Sequence, residues 1–139
     1  NMKKIILIGI ILIIAVLERK AYIPFYNQDV YVNAMGGIKL SEPSADLAIA
    51  LALASSYKNM PIEKTTCAFG EIGLTGEVRP VMQAEKRVAE SIRLGFKKVI
   101  VPARNLSQVE KHKDKIEIIP VKHVYQAIKI LFDGDKNPQ

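Results

Sequence analysis

The stretch Glu42-Pro43-Ser44-Ala45-Asp46, followed by Leu47-Ala48-Ile49-Ala50-Leu51-Ala52-Leu53-Ala54-Ser55-Ser56, reads as the start and body of one helix. Proline holds φ near the helical value and lacks the N–H that a first turn leaves unpaired, so Pro43 suits the entrance. Ser41 or Glu42 is placed to cap it, and Asp46 lies near the positive end of the helix dipole. From residue 45 to 56 nearly every side chain is small or apolar. That predicts a helix buried on most sides and central to the fold.

Outward from this helix the pattern alternates between short strands and helices. Upstream, residues 21–28 hold Pro24 and aromatics and read as a connector. Residues 29–33 read as a strand, Gly36-Gly37 permits a sharp turn, and residues 38–40 return to extended chain. Downstream, residues 65–71 and 74–79 read as strands flanking a glycine-containing turn. Ala84, Val88 and Ile92 then recur every fourth residue and give a helix one apolar stripe. Residues 98–101 and 116–119 read as short buried strands, 110–115 as a charge-rich connector, 123–132 as an amphipathic helix and 133–139 as a tail.

Gly36-Gly37, the Pro43-Ser44-Ala45 step, Gly70-Glu71-Ile72, Gly76-Glu77-Val78, Pro80-Val81, Gly95-Phe96-Lys97 and Val99-Ile100-Val101-Pro102 resemble, in order and spacing, the Lon proteolytic domain family. The likeness covers residues 30–106. It is sharpest to the branch found at the C-terminus of RadA-type (Sms) bacterial DNA repair proteins, through Leu17-Glu18-Arg19-Lys20, Asp29-Val30-Tyr31-Val32-Asn33 and the run from Phe69 to Pro80. The resemblance implies a mixed α/β (α+β) fold, the Lon proteolytic-domain fold, related to the ribosomal-protein-like two-layer sandwiches. The expected organisation is an apolar helix over residues 1–20, the Lon-like domain over 21–132 and the tail.

In the Lon family a serine in Gly-Pro-Ser-Ala-Gly is the nucleophile, and a lysine in Pro-hydrophobic-Gly-Gly-hydrophobic-Lys activates it. Ser44 occupies the serine position here. A serine at a helix start has a physical rationale, because free N–H groups and the dipole stabilise an oxyanion. It still needs an adjacent base. The second motif becomes Pro80-Val81-Met82-Gln83-Ala84-Glu85, so Glu85 stands where the lysine would be. A carboxylate of ordinary pKa is a poor acceptor for a hydroxyl proton. Lys86 is one residue further and therefore about 100° around a helix. The flanking glycines are Glu42 and Asp46, which add negative charge beside a developing oxyanion and fill the path of a peptide substrate. Ser44 then reads as a remnant nucleophile, kept for capping or packing, and the chain as no enzyme by itself. The alternative is a Ser/Lys peptidase of the Lon family using Ser44 with Lys86.

The chain has 139 residues, enough for one domain with its own core. One cysteine, Cys67, excludes an internal disulfide and a multi-cysteine zinc site. His112 and His123 read as isolated, without metal-ligand spacing. No phosphate-binding loop of the Gly-x-x-x-x-Gly-Lys-Ser/Thr type occurs, so no ATP binding is expected of this chain. The resemblance places ATP, Mg and Zn only in upstream domains not found in this sequence, which is read as a fragment or a shortened relative.

Lysine and arginine number 20 against 14 acidic residues, a net charge of +6. Between residues 79 and 98 six cations, Arg79, Lys86, Arg87, Arg93, Lys97 and Lys98, face two carboxylates, Glu85 and Glu90. These six are the DNA-binding candidates, through phosphate rather than base contacts. The apolar run from residue 5 to 17 is shorter than the ~20 residues a membrane helix needs. It also ends in Glu18-Arg19-Lys20 rather than at a signal cleavage site. A buried helix, no membrane contact and a cytoplasmic location are expected. By resemblance the partners are DNA and further copies of the chain, in a hexameric ring in the full-length protein, with a role in homologous recombination and branch migration.

Overall fold

The computed structural model describes residues 43–133. The expectations for residues 1–42 and for the tail beyond 133 lie outside the described residues, the apolar run at 5–17 and both possible caps, Ser41 and Glu42, among them.

A 3-10 turn over Pro43–Ala45 leads into helix α1, Asp46–Lys58. Leu47, Ile49, Ala50, Leu51, Leu53 and Ala54 are buried, as the all-apolar composition predicted. Asn59 ends the helix in the left-handed conformation, and the chain folds back through Met60 N–H to Ser55 O at 3.1 Å.

Strand β1, Thr66–Ala68, is followed by β2, Glu71–Ile72, and β3, Val78–Arg79. Helix α2, Ala84–Arg93, precedes β4, Lys98–Pro102. A 3-10 turn over Ala103–Asn105, the short helix α3, Leu106–Val109, and a second 3-10 turn over Glu110–His112 lead to β5, Glu117–Val121. Helix α4, Val124–Phe132, closes the described chain. The connector expected at 110–115 thus contains a helical turn, with α3 in front of it.

Strands β1, β4 and β5 form a parallel sheet with β4 in the middle, Val99 opposite Cys67 on one side and Ile118 on the other. Val99, Ile100 and Val101 are all fully buried, as a central parallel strand covered on both faces requires. Ile100 joins the core formed with α1 and α4, whereas Val99 and Val101 join the core of α2 and α3. Because β4 alternates between two apolar cores, helices cover both faces of the described sheet. The mixed α/β class is as expected; the second helical layer goes beyond the two layers of the expected sandwich.

The apolar stripe of α2 also holds, with Ala84 and Val88 buried and Ile92 packed against the same core. The strand expected over 65–71 divides instead. Phe69 N–H still reaches Ile100 O at 3.1 Å, but at Gly70 the chain leaves the parallel sheet, and β2 pairs antiparallel with β3 as a separate hairpin. Gly70 has φ +154°, and a Cβ there would stand 2.9 Å from Val78 Cγ1 and 3.3 Å from Pro102 Cγ. Only glycine lets the hairpin fold so closely over the end of β4.

Candidate functional site

Ser44 is buried at the entrance to α1, and its surroundings are set by Gly70. Gly70 N–H donates to Ser44 O at 2.9 Å, and Leu47 N–H donates to Gly70 O at 3.0 Å. Asp46 completes the clamp: its Oδ2 accepts from Ile72 N–H at 3.1 Å. Three hydrogen bonds therefore stitch the helix entrance to the start of the hairpin. One of the N–H groups that could face an oxyanion, that of Leu47, is already occupied.

Burial pushes the Asp46 carboxyl up from 3.8 to about 6; the Ile72 N–H opposes the rise and the nearby Glu71 charge adds to it. Above that pH the helix entrance carries a half-buried anion. An anion there opposes the negative charge that acyl transfer would develop beside Ser44.

Glu85, at the position of the activating lysine, lies in the first turn of α2. Its Oε1 is 2.9 Å from His112 Nε2 and 3.7 Å from Lys111 Nζ. The hydrogen bond with His112, helped by the Lys111 charge, holds its carboxyl below the ordinary range, the opposite of what a carboxylate base for a hydroxyl requires. His112 is therefore not isolated. Its partner is 27 residues away, and no local signal could have linked them. Lys86 is exposed, whereas a lysine serving as base needs apolar surroundings to lose its proton.

The motif that carries Glu85 has an unusual backbone at its entrance to α2. Gln83 has φ 58° and ψ 37°, left-handed backbone, at the second of the two positions where the Lon pattern has glycine.

Of the six cations, five fall on three elements and Lys97 lies just before the third. Arg79 lies on β3, 4.0 Å from Glu71 and 3.9 Å from Glu77. On α2, Arg93 pairs with Glu90, Arg87 Nε donates to Met82 O at 3.0 Å, and Lys86 faces solvent. Lys97 is exposed at the entrance to β4, and Lys98, first in that strand, is partly buried. Arg104 and Lys122, outside residues 79–98, join Arg79 around an open notch of about 630 Å³.

His123 caps α4, its Nδ1 accepting from Tyr125 N–H at 3.0 Å while Nε2 lies 3.0 Å from Thr75 O. Burial pushes the Cys67 thiol up, and its Sγ lies 3.4 Å from Ser91 Oγ, as a small packed thiol should. Among the described residues no three His, Cys, Asp or Glu side chains gather as metal ligands, and no helix is long and apolar enough to cross a membrane.

The parallel sheet, the Gly70 clamp and the Ser44 entrance lie in a chain whose residues 2–134 match the Lon protease (S16) C-terminal proteolytic domain. The chain belongs to this family. Within it the chain is similar to proteins named DNA repair protein RadA. It is 46% identical to that of Bacillus subtilis over 123 residues, which is 88% of this chain and 27% of the relative. The identity is 44% over 118 residues to that of Listeria monocytogenes, 85% of this chain and 26% of the relative. For that of Streptococcus pneumoniae it is 45% over 121 residues, 87% and 29%. The chain spans about a quarter of the length of these curated relatives.

Proposed function

We propose that this chain is a non-proteolytic Lon-type module of a RadA-like DNA repair protein, that it binds DNA through phosphate contacts, and that it assembles with further copies of itself. The observation that carries the loss of proteolysis is the Glu85 pairing: the position of the activating lysine holds a carboxylate engaged by His112 and Lys111. The name shared by the relatives supports the repair role, and the exposed Lys86 and Lys97 support backbone binding. In this reading the chain needs no cofactor of its own, works in the cytoplasm and serves as a ring scaffold during recombination and branch migration. ATP, Mg and Zn belong to the other domains of the longer protein.

Binding of a fluorescein-labelled duplex, followed by anisotropy across a salt series, tests the DNA reading. Association that weakens steeply with salt and is insensitive to base sequence is expected; no association at low salt sinks it. Sedimentation at high protein concentration tests assembly, which a strictly monomeric mass overturns. A casein assay comparing the chain with Ser44→Ala tests the lost activity, and Ser44-dependent cleavage would reinstate a peptidase.

A further inference from the structure

We propose that the notch between Arg79, Arg104 and Lys122 binds a phosphate group of a nucleic-acid backbone. The inference rests on the DNA-binding reading above and gives it a place in the fold.

The topology brings the three cations together from distant parts of the chain. Strands β4 and β5 are parallel and end side by side, Pro102 opposite Val121. Arg104 follows the first strand by two residues and Lys122 follows the second directly, so both emerge beyond the carboxyl ends of the sheet. Open parallel sheets bind ligands in the crevice at this end. The third cation is delivered by the hairpin: Val78 N–H donates to Lys122 O at 2.8 Å, which sets Arg79, the next residue, at the same rim. The notch that results is open to solvent, with Pro80 and Ala103 in its wall.

The charges there leave capacity for an anion. Glu71 and Glu77 also line the notch, so three cations meet two carboxylates. Both carboxylates stand 3.9 to 4.0 Å from Arg79, longer than the ~2.8 Å of a charge-assisted hydrogen bond. The oxygens of Glu77 are turned to Thr75 instead, each 2.9 Å from its Oγ1. The guanidinium of Arg79 is thus oriented while its N–H donors stay available. Arg104 and Lys122 are exposed and have no ion-pair partner among the described residues. A planar fork, a second guanidinium and an ammonium around one opening suit a tetrahedral phosphate oxyanion.

The test compares the whole chain with two double variants of equal charge, Arg104→Ala with Lys122→Ala in the notch, and Lys113→Ala with Lys115→Ala away from it. All four residues are exposed, and circular dichroism checks that the variants stay folded. Anisotropy of a labelled duplex is measured against salt. The notch variant should bind more weakly, and its slope of log affinity against log salt should fall by about 1 relative to the control pair. Equal slopes in the two double variants overturn the notch and leave DNA binding to other cations. If the parent chain binds no duplex, the DNA reading fails and inorganic phosphate followed by amide NMR decides. Shifts at Arg104 and Lys122 then keep the phosphate chemistry and overturn its backbone source, and no shifts overturn the site altogether.

Discussion

The side-chain amide of Asn105 pairs with the main chain of Val81 as a neighbouring strand would: Val81 N–H donates to Asn105 Oδ1 at 2.9 Å, and Asn105 Nδ2 donates to Val81 O at 3.1 Å. Gln108 Oε1 takes the remaining Nδ2 hydrogen at 2.7 Å. Asn105 is 2% exposed, so these groups have little access to water in exchange. One side chain thus fixes the segment that carries Gln83 and Glu85 into α2 against the turn that carries Arg104.

Replacing Asn105 by alanine leaves the N–H and carbonyl of Val81 without partners. The expected loss is about 2 to 4 kcal/mol, the sum of two partly buried unsatisfied groups. Urea denaturation of the two chains measures it. A change below about 0.5 kcal/mol would show that the pairing contributes nothing beyond what water supplies.

Asp46 makes stability depend on pH with a definite sign. Its folded pKa, about 6, lies above the ordinary 3.8, so the folded state binds the proton more tightly. The stabilisation is fully present below 3.8 and is lost as pH rises through about 6. Asp46→Asn keeps an acceptor for Ile72 N–H and removes the charge. Because Asp46 is only half-buried, solvent screening reduces the effect, and the variant should be more stable than the parent at pH 8 by about 1 kcal/mol, with the gap closing by pH 4. A gap that widens towards acid would contradict the assignment.

Gln83 holds left-handed backbone that glycine tolerates and an L side chain does not favour. Gln83→Gly relieves that strain at the cost of added freedom in the unfolded chain, for a net gain of up to about 1 kcal/mol. Thermal unfolding reads the change, and a lower Tm would mean that the exposed Gln83 side chain makes contacts outweighing the strain.

Glu85→Lys restores the residue type of the protease motif, places a second ammonium beside that of Lys111 and removes the carboxylate that His112 bonds. The expected result is a lower Tm and no Ser44-dependent cleavage of casein, because Asp46 and the occupied Leu47 N–H remain at the serine. Cleavage appearing in this variant would mean that the single lysine was all the site had lost.

Much of the fold was legible because its signals are local. The all-apolar run of α1, the four-residue stripe of α2 and the buried triplet of β4 each state their own environment. The division of residues 65–71 between two sheets was not legible. It depends on how near Gly70 comes to Val78 and Pro102, and that proximity arises only once β4 is in place. Likewise Ser44 and Glu85 could be located by motif, but not their company. Asp46 finds its partner 26 residues away, Glu85 finds His112 27 away, and Asn105 finds Val81 24 away.

The sequence by itself determined the class of the domain and the places of Ser44 and Glu85 within the family's motifs, since each is carried by residue type at fixed spacing. Only the tertiary structure decided what surrounds those positions. The parallel ends of β4 and β5 bring Arg104 and Lys122 to the rim where the hairpin sets Arg79, and the Gly70 clamp occupies the N–H of Leu47. Charges and hydrogen-bonding groups act through distance in space, and the chain sets that distance only when its strands have paired.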